Sequence, residues 1–225
     1  MAKATQKFAA RSLERDVYDY IRNAILAGDL EPGAPLVEAQ LSEQFGISKT
    51  PVREALIRLK RDGLVDGSLH HKNRVATPTV EEIEHAFEFR EWIEIEIAAR
   101  AAENPSAELL RELKESIDAA SAALKDDDER AYIAAISVFS DILVEANGNL
   151  YASEALERLR NILGVIANVS RRSPSRRKRS ITEHRQILRA IKANDVEAAR
   201  QATREHLRSI KADSLAALAE SDKAA

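Results

Sequence analysis

The sequence predicts a mainly α fold: a small helical segment closed by a short β-hairpin, followed by an all-α antiparallel helical bundle. Three observations carry this expectation. The 225-residue chain is 44% hydrophobic and 32% charged but only 4% aromatic, with 7 Gly and 6 Pro. Such a composition favours helix and argues against Gly- and Pro-punctuated all-β folds. Apolar residues recur at helical spacing along nearly the whole chain. One pair of short segments, Leu64-Val65 and Arg74-Val75-Ala76, flanks a polar tip at 67–73 and suits a hairpin.

The elements follow in order. Leu13, Val17, Ile21, Ala24 and Ile25 mark a first helix that stops at Gly28 and the Glu31-Pro32-Gly33 turn. Leu41 and Phe45 mark a short second helix, broken at Gly46-Ile47-Ser48. A third helix starts near Thr50-Pro51, with Ser48 or Thr50 as its cap, and buries Val52, Ala55, Leu56 and Leu59 before Gly63. Thr79-Val80-Glu81-Glu82 has the form of a capping box. Beyond it the stripes predict helices over roughly 80–103, 106–124, 128–147, 149–170, 179–193 and 195–219. Short connections between amphipathic helices make an antiparallel bundle. The domain boundary falls between the 1–78 and 79–225 segments.

Several function classes drop out. Without cysteine there is neither disulfide, thiolate metal site nor thiol nucleophile. The longest nearly apolar run, Ile162 to Val169, is far short of a membrane span. The first residues carry two lysines but no apolar stretch after them, so a cytoplasmic chain is expected. The net charge is -3, yet residues 1–79 hold 12 Lys/Arg against 10 Asp/Glu. A mildly basic first third on an acidic body hints at an anionic partner. Arg171 to Ser180 packs six cations into ten residues, either a solvated interhelical loop or an anion or DNA-backbone contact.

Helix, short helix, turn, helix and hairpin together form a winged helix-turn-helix pattern. A helix that enters the major groove needs a polar, donor-rich outer face at its N-terminal end. Ser48, Lys49, Thr50 and Arg53 supply it, Arg58 lies further along, and the hairpin offers His71, Lys72 and Arg74. The segment Leu41 to Val65, above all SKTPVREAL at 48–56, resembles the N-terminal signature of GntR-family bacterial transcription regulators. Later residues, Phe89-Arg90-Glu91-Trp92, the Ala146-Asn147-Gly148-Asn149 corner, Glu183-His184 and His206-Leu207, resemble the family's all-helical FCD effector domain in its shorter, six-helix branch.

The resemblance implies a homodimeric, ligand-responsive regulator, most often a repressor, acting on a palindromic operator. It places Thr50 and Arg53 at phosphate and base contacts, and puts Lys49 where an Arg is common. Lys donates as a point charge, without a fork for guanine. Ala39 stands where the second helix often has a basic residue, and His71 where the wing tip often has Gly.

The same resemblance implies a divalent metal held by an Asp, a His four residues later, and two further His. His184 and His206 match the later pair, whereas Ile136 and Ser140 occupy the earlier positions. Asp141 is one residue further on, about 100° around the helix. No metal or other cofactor is therefore expected, and Arg90, Ser140, His184 and His206 are the effector-contact candidates. Two inward His are also what an ordinary core would show, and Arg90 could either meet a carboxylate effector or pair with Glu94 one turn on. A small organic or sugar acid is the expected effector. Two rival functions remain: an architectural DNA binder without ligand control, and a helical enzyme. Against the enzyme, the sequence shows no Ser/His/Asp ordering, phosphate loop or paired inward carboxylates.

Overall fold

The structure is a computed structural model of the chain; it describes residues 2–67, 72–171 and 173–224, without the side chains of 2–12, 166–171 and 220–224. Two compact units result. The first comprises 1–78 together with 160–168, and the second 79–159 together with 169–225. The chain therefore returns to its first unit once after residue 78, which no local sequence signal announces.

In the first unit, α1 (Ala2–Ala27), α2 (Glu38–Phe45) and α3 (Lys49–Arg61) precede the strands β1 (Val65–Asp66) and β2 (Arg74–Val75). The inner stripe of α1 starts at Val17; Leu13 is 41% exposed, so the first apolar position read from the sequence faces outward. Val17, Ile21 and Ile25 pack against Val52, Leu56 and Leu59 of α3, with Val65 and Val75 of the strands closing the cluster. Ser48 occupies the N-cap position of α3 in extended conformation, though its hydroxyl makes no capping hydrogen bond, and Gly46 ends α2 at φ 65°, a left-handed position that suits Gly. The strands pair antiparallel with Val65 opposite Val75.

Residues 160–168 belong to α7 (Leu150–Arg171), and Val165 joins this core. Here Gly63 sits at φ 76°, and a Cβ on it would lie 2.6 Å from Ile162 Cγ1. Gly63→Ala should therefore destabilise this unit by about 1–3 kcal/mol, the cost of a left-handed non-Gly residue. Denaturant unfolding of the variant checks it, and an unchanged midpoint would refute the strain.

The second unit is helical: α4 (Val80–Glu103), α5 (Ala107–Lys125), α6 (Glu129–Asn147), the rest of α7, α8 (Pro174–Lys192) and α9 (Val196–Ala224). The starts of α4, α5 and α6 are capped by side chains. Thr79 and Glu82 form the full capping box, Ser106 accepts from the Leu109 N–H, and Asp128 from the Ala131 N–H. The core runs through Leu113, Ile117, Tyr132, Phe139, Leu156 and Ile191. No helix among the described residues is long and apolar enough to cross a membrane.

One expectation is corrected. Within the basic stretch 171–180, residues 174–180 form no loop: α8 starts at Pro174, in the first-turn position where its missing N–H costs nothing. Arg176 and Arg177 are 7% and 5% exposed. Arg176 reaches Asp213 at 2.8 Å and Glu183 at 3.1 Å. Burying a guanidinium demands such partners.

Candidate DNA face and ligand cavity

Ser48, Lys49, Thr50 and Arg53 are all exposed on the N-terminal half of α3, while Pro51, Val52, Ala55 and Leu56 hold the opposite side to the body. The helix presents a polar edge and buries an apolar one, as groove entry requires. Arg53 does not project freely. Its Nε lies 3.2 Å and its Nη2 2.9 Å from Glu38 Oε2, on the first residue of α2. Arg58 is turned back to α1, with its guanidinium 3.8 Å above the Tyr18 ring and 3.7 Å from Glu14.

Tyr18 in turn donates its hydroxyl to Asp62 at 2.6 Å. Burial, and next that carboxylate, push the phenol up to about 12, so it stays a neutral donor. In the wing, Arg74 donates to the Gly33 carbonyl at 3.0 Å and remains exposed, as does Lys72. His71, the tip residue singled out from the sequence, lies outside the described residues.

Sequence reasoning missed Glu38. An acid in the first turn of a short helix reads as a dipole-compensating residue. Only the crossing of α2 and α3 brings it to Arg53.

The second unit holds a cavity of about 20 Å3 between α4, α6, α8 and α9. Its apolar wall is Ile97, Phe139, Leu143, Val144 and Ile187, and its polar lining is Glu94, Ser140, His184, Thr203 and His206. Three of the four effector candidates are thus brought together. Arg90 is the exception: it holds Glu94 through two hydrogen bonds, Nε–Oε1 at 2.5 Å and Nη2–Oε2 at 3.2 Å. Of the two readings left open for Arg90, the structure has the helical pair.

The imidazoles have defined roles. His184 Nδ1 is 2.7 Å from the Ser180 carbonyl, which can only accept. His206 Nδ1 is 2.8 Å from Glu183 Oε2. Both Nδ1 atoms therefore carry the proton, and both Nε2 atoms carry lone pairs. Burial first, and then the neighbouring His206, push His184 down to about 3. Burial also pushes His206 down, against the pull of Glu183.

Burial alone would raise Glu183, but hydrogen bonds from His206 and Ser209 and the charge of Arg176 hold it at about 2. At neutral pH the rings are uncharged beside an ionised Glu183. Hydrogen bonds donated by these rings to an effector, or imidazolium contacts, are therefore not what the site offers.

A metal fits poorly. Ile136 is buried in the core, Asp141 is not part of the cavity lining, and no cluster of three or more His, Asp or Glu among the described residues is arranged around one point. Two nitrogen donors are half of what a zinc-type ion takes. One further group stands out. Thr203 Oγ1 is buried with no hydrogen-bond partner and belongs to a residue that lines the cavity. A buried hydroxyl left unpaired is costly, so its natural partner is something that enters.

Comparison with known proteins agrees with both units. The profile described as "Bacterial regulatory proteins, gntR family" matches residues 13–68, and the FCD domain profile matches residues 85–209. A relative from Paenarthrobacter nicotinovorans, named "Probable D-xylose utilization operon transcriptional repressor", is 29% identical over 92% of this chain and 91% of its own. An HTH-type transcriptional regulator in an unstable DNA locus of Streptomyces ambofaciens is 32% identical over 89% of this chain and 84% of its own. The solved structure of E. coli McbR/YncC superposes with a TM-score of 0.77 at 26% identity, covering 93% of this chain and 98% of that one. With a helix-turn-helix whose polar edge is exposed, a short hairpin and a helical cavity domain each matched in turn, the chain belongs to the gntR family of bacterial regulatory proteins in its FCD-domain form, and it is a transcriptional regulator that binds DNA.

Proposed function

We propose that this regulator is a repressor that binds a two-fold symmetric operator as a homodimer and responds to a small hydroxyl-bearing effector in the helical domain. Ser48, Lys49, Thr50 and Arg53 read the operator, with Lys72, Arg74 and the wing tip around His71 on the backbone or minor groove. Arg58 acts from its seat on Tyr18, so it adds positive potential more than a direct contact. A single small winged module buries too little surface for strong specificity, whereas two linked modules raise the effective concentration. Phe89 and Trp92, ring centroids 6.0 Å apart and 38% and 66% exposed on α4, support an apolar surface available for self-association. Sedimentation of the protein–DNA complex should give two chains per operator, and a one-chain complex at saturating protein would refute the dimer.

The observation that carries the effector reading is the unpartnered Thr203 hydroxyl beside two imidazole Nε2 lone pairs. The expected organic or sugar acid rested on Arg90, which Glu94 occupies. What remains supported is the hydroxyl part of such a molecule. Hydroxyls donate to Nε2 of His184 and His206 and to Glu94, and accept from Thr203. The relative named for D-xylose utilization adds weight to a sugar or sugar acid. The cavity admits little more than a water-sized group, so an effector must spread its walls. That movement is the natural signal to the DNA unit.

A thermal-shift screen decides the effector class, because a ligand at 100 times its dissociation constant stabilises by about 2.7 kcal/mol. Sugars or sugar acids should shift the melting temperature, and hydroxyl-free carboxylates of equal size should not. The reverse pattern would restore a carboxylate-directed site. Thr203→Val removes only the unpartnered hydroxyl. It should leave stability without ligand unchanged or higher and weaken the effector's release of DNA. A variant that loses stability but keeps its response would place Thr203 in the core alone. Protein purified without chelator or tag nickel should carry no stoichiometric divalent metal, and one ion per chain by elemental analysis, lost in His206→Ala, would overturn that.

A further inference from the structure

We propose that Glu38 is a positioning residue that makes Arg53 a guanine reader and keeps it off the phosphates; this rests on the reading of α3 as the recognition helix. Arg53 and Glu38 meet side-on. The carboxylate takes the Nε–H and one Nη2–H, at 3.2 and 2.9 Å to Oε2, with Nε also 3.4 Å from Oε1. A guanidinium has five N–H donors in a rigid planar fork. Two of them are committed on the Nε edge. The other edge, formed by Nη1 and the outer Nη2–H, makes no hydrogen bond to the described residues, and it is the edge that engages guanine O6 and N7 bidentately.

The arrangement also explains why the arginine is held at all. Its side chain is 62% exposed and that of Glu38 is 29% exposed, so the pair contributes little to folding. Its consequence is orientational. A free arginine on the first turns of a recognition helix meets a phosphate as readily as a base edge, because any oxygen of the strand satisfies it. Glu38 restricts the rotamers of Arg53 and adds a negative charge that phosphates avoid. Lys49 and Thr50, one turn earlier, make no hydrogen bond to a carboxylate among the described residues, so nothing orients them towards a base edge in the same way. Glu38 itself is kept in place by the start of α2, where Ser42 Oγ donates back to the Glu38 carbonyl at 2.7 Å.

The test is selection of bound sequences from a random duplex pool by the purified full chain, its Glu38→Gln, Glu38→Asp and Arg53→Ala variants, with affinity for random DNA measured in parallel. The parent protein should enrich guanine at one position per half-site. Glu38→Gln should lower that preference at least about fivefold, the low end of what a bidentate arginine–guanine pair discriminates, while its affinity for random DNA rises. Glu38→Asp keeps the charge but shortens the reach. It should lose the preference without the gain on random DNA, which separates orientation from repulsion. Undiminished guanine preference in both Glu38 variants would overturn the proposal. So would tighter operator binding by Glu38→Gln at unchanged preference, because Glu38 would then merely restrain the arginine. If Arg53→Ala itself keeps the preference, Arg53 is not the guanine reader and the Glu38 role falls with it; if Arg53→Ala loses the preference while both Glu38 variants keep it, the reading of α3 stands and the Glu38 role alone fails. Melting temperatures within a few degrees of the parent confirm that the variants are folded.

Discussion

Arg176→Met should destabilise the helical domain by about 3–5 kcal/mol, the cost of stripping the partner from buried charges. Arg176 Nε is 2.8 Å from Asp213, and its Nη1 is 3.1 Å from Glu183. Its side chain is only 8% exposed, and Glu183 is 12% exposed. Without the guanidinium, two carboxylates share one half-buried pocket. Arg179 is a nearby cation, at 2.6 Å from Asp213 but 3.8 Å from Glu183.

The neighbouring variant supplies the contrast. Arg179 is 48% exposed, so Arg179→Met should cost under about 1 kcal/mol. A triple replacement of Arg176, Glu183 and Asp213 by apolar residues of similar volume should recover most of the Arg176→Met loss, since no buried charge is then left unpaired. Urea unfolding of the three variants measures all of this. A cost below about 1 kcal/mol for Arg176→Met would mean that the residue is solvated, as the loop reading of 171–180 had it.

That misreading shows how much of the molecule the sequence carries. Pro174 is a helix-start signal as much as a break. Arg176, Ser180, His184, Ile187 and Ile191 already lie at helical spacing on the buried face of α8. Six cations in ten residues outweighed that stripe in the sequence reading, because a buried Arg needs partners that spacing cannot reveal. Asp213 lies on α9 and Asp127 in the turn between α5 and α6, and only folding brings them to Arg176 and Arg177.

Elsewhere, local signals were sufficient. The Thr79–Glu82 box, the αL glycines at 46 and 148 and the inner face of α3 stand where the sequence puts them. His184, His206 and Ser140 do line one cavity. Thr203 was hidden in the alanine-rich start of α9, where a hydroxyl reads as neutral. Glu38 was hidden because its role depends on a helix crossing. The packing of 160–168 into the first unit is likewise tertiary, and nothing local in α7 marks it.

The chain should lose stability steeply as the pH falls from 6.5 to 5, and His184→Gln should flatten that slope. Burial pushes the His184 imidazole from its ordinary 6.5 down to about 3. The unfolded chain takes up the proton first. Stability from the neutral ring is therefore fully present above pH 6.5 and is lost as the pH falls towards 3. One such group contributes a slope of about 1.4 kcal/mol per pH unit in that window, so pH 5 costs about 2 kcal/mol relative to pH 6.5. His206, also lowered, adds in the same direction. Glu183, held at about 2 against an ordinary 4.5, adds its share only below pH 4.5.

Gln at 184 can still donate to the Ser180 carbonyl and does not titrate. The difference in unfolding free energy between pH 6.5 and 5 should shrink by about 2 kcal/mol in this variant. An unchanged difference would show that the ring is solvated or already protonated. The ring packs against Ser180 on its own helix, Phe139 on α6 and His206 on α9; the Glu183 carboxylate favours the charged imidazole, but burial outweighs it. Within the folded protein the ring stays neutral throughout this pH range. Acid sensitivity between 6.5 and 5 therefore belongs to the folding equilibrium. An NMR titration of the folded fraction should show no protonation of the His184 ring there, which separates a fragile buried histidine from a pH-sensing one.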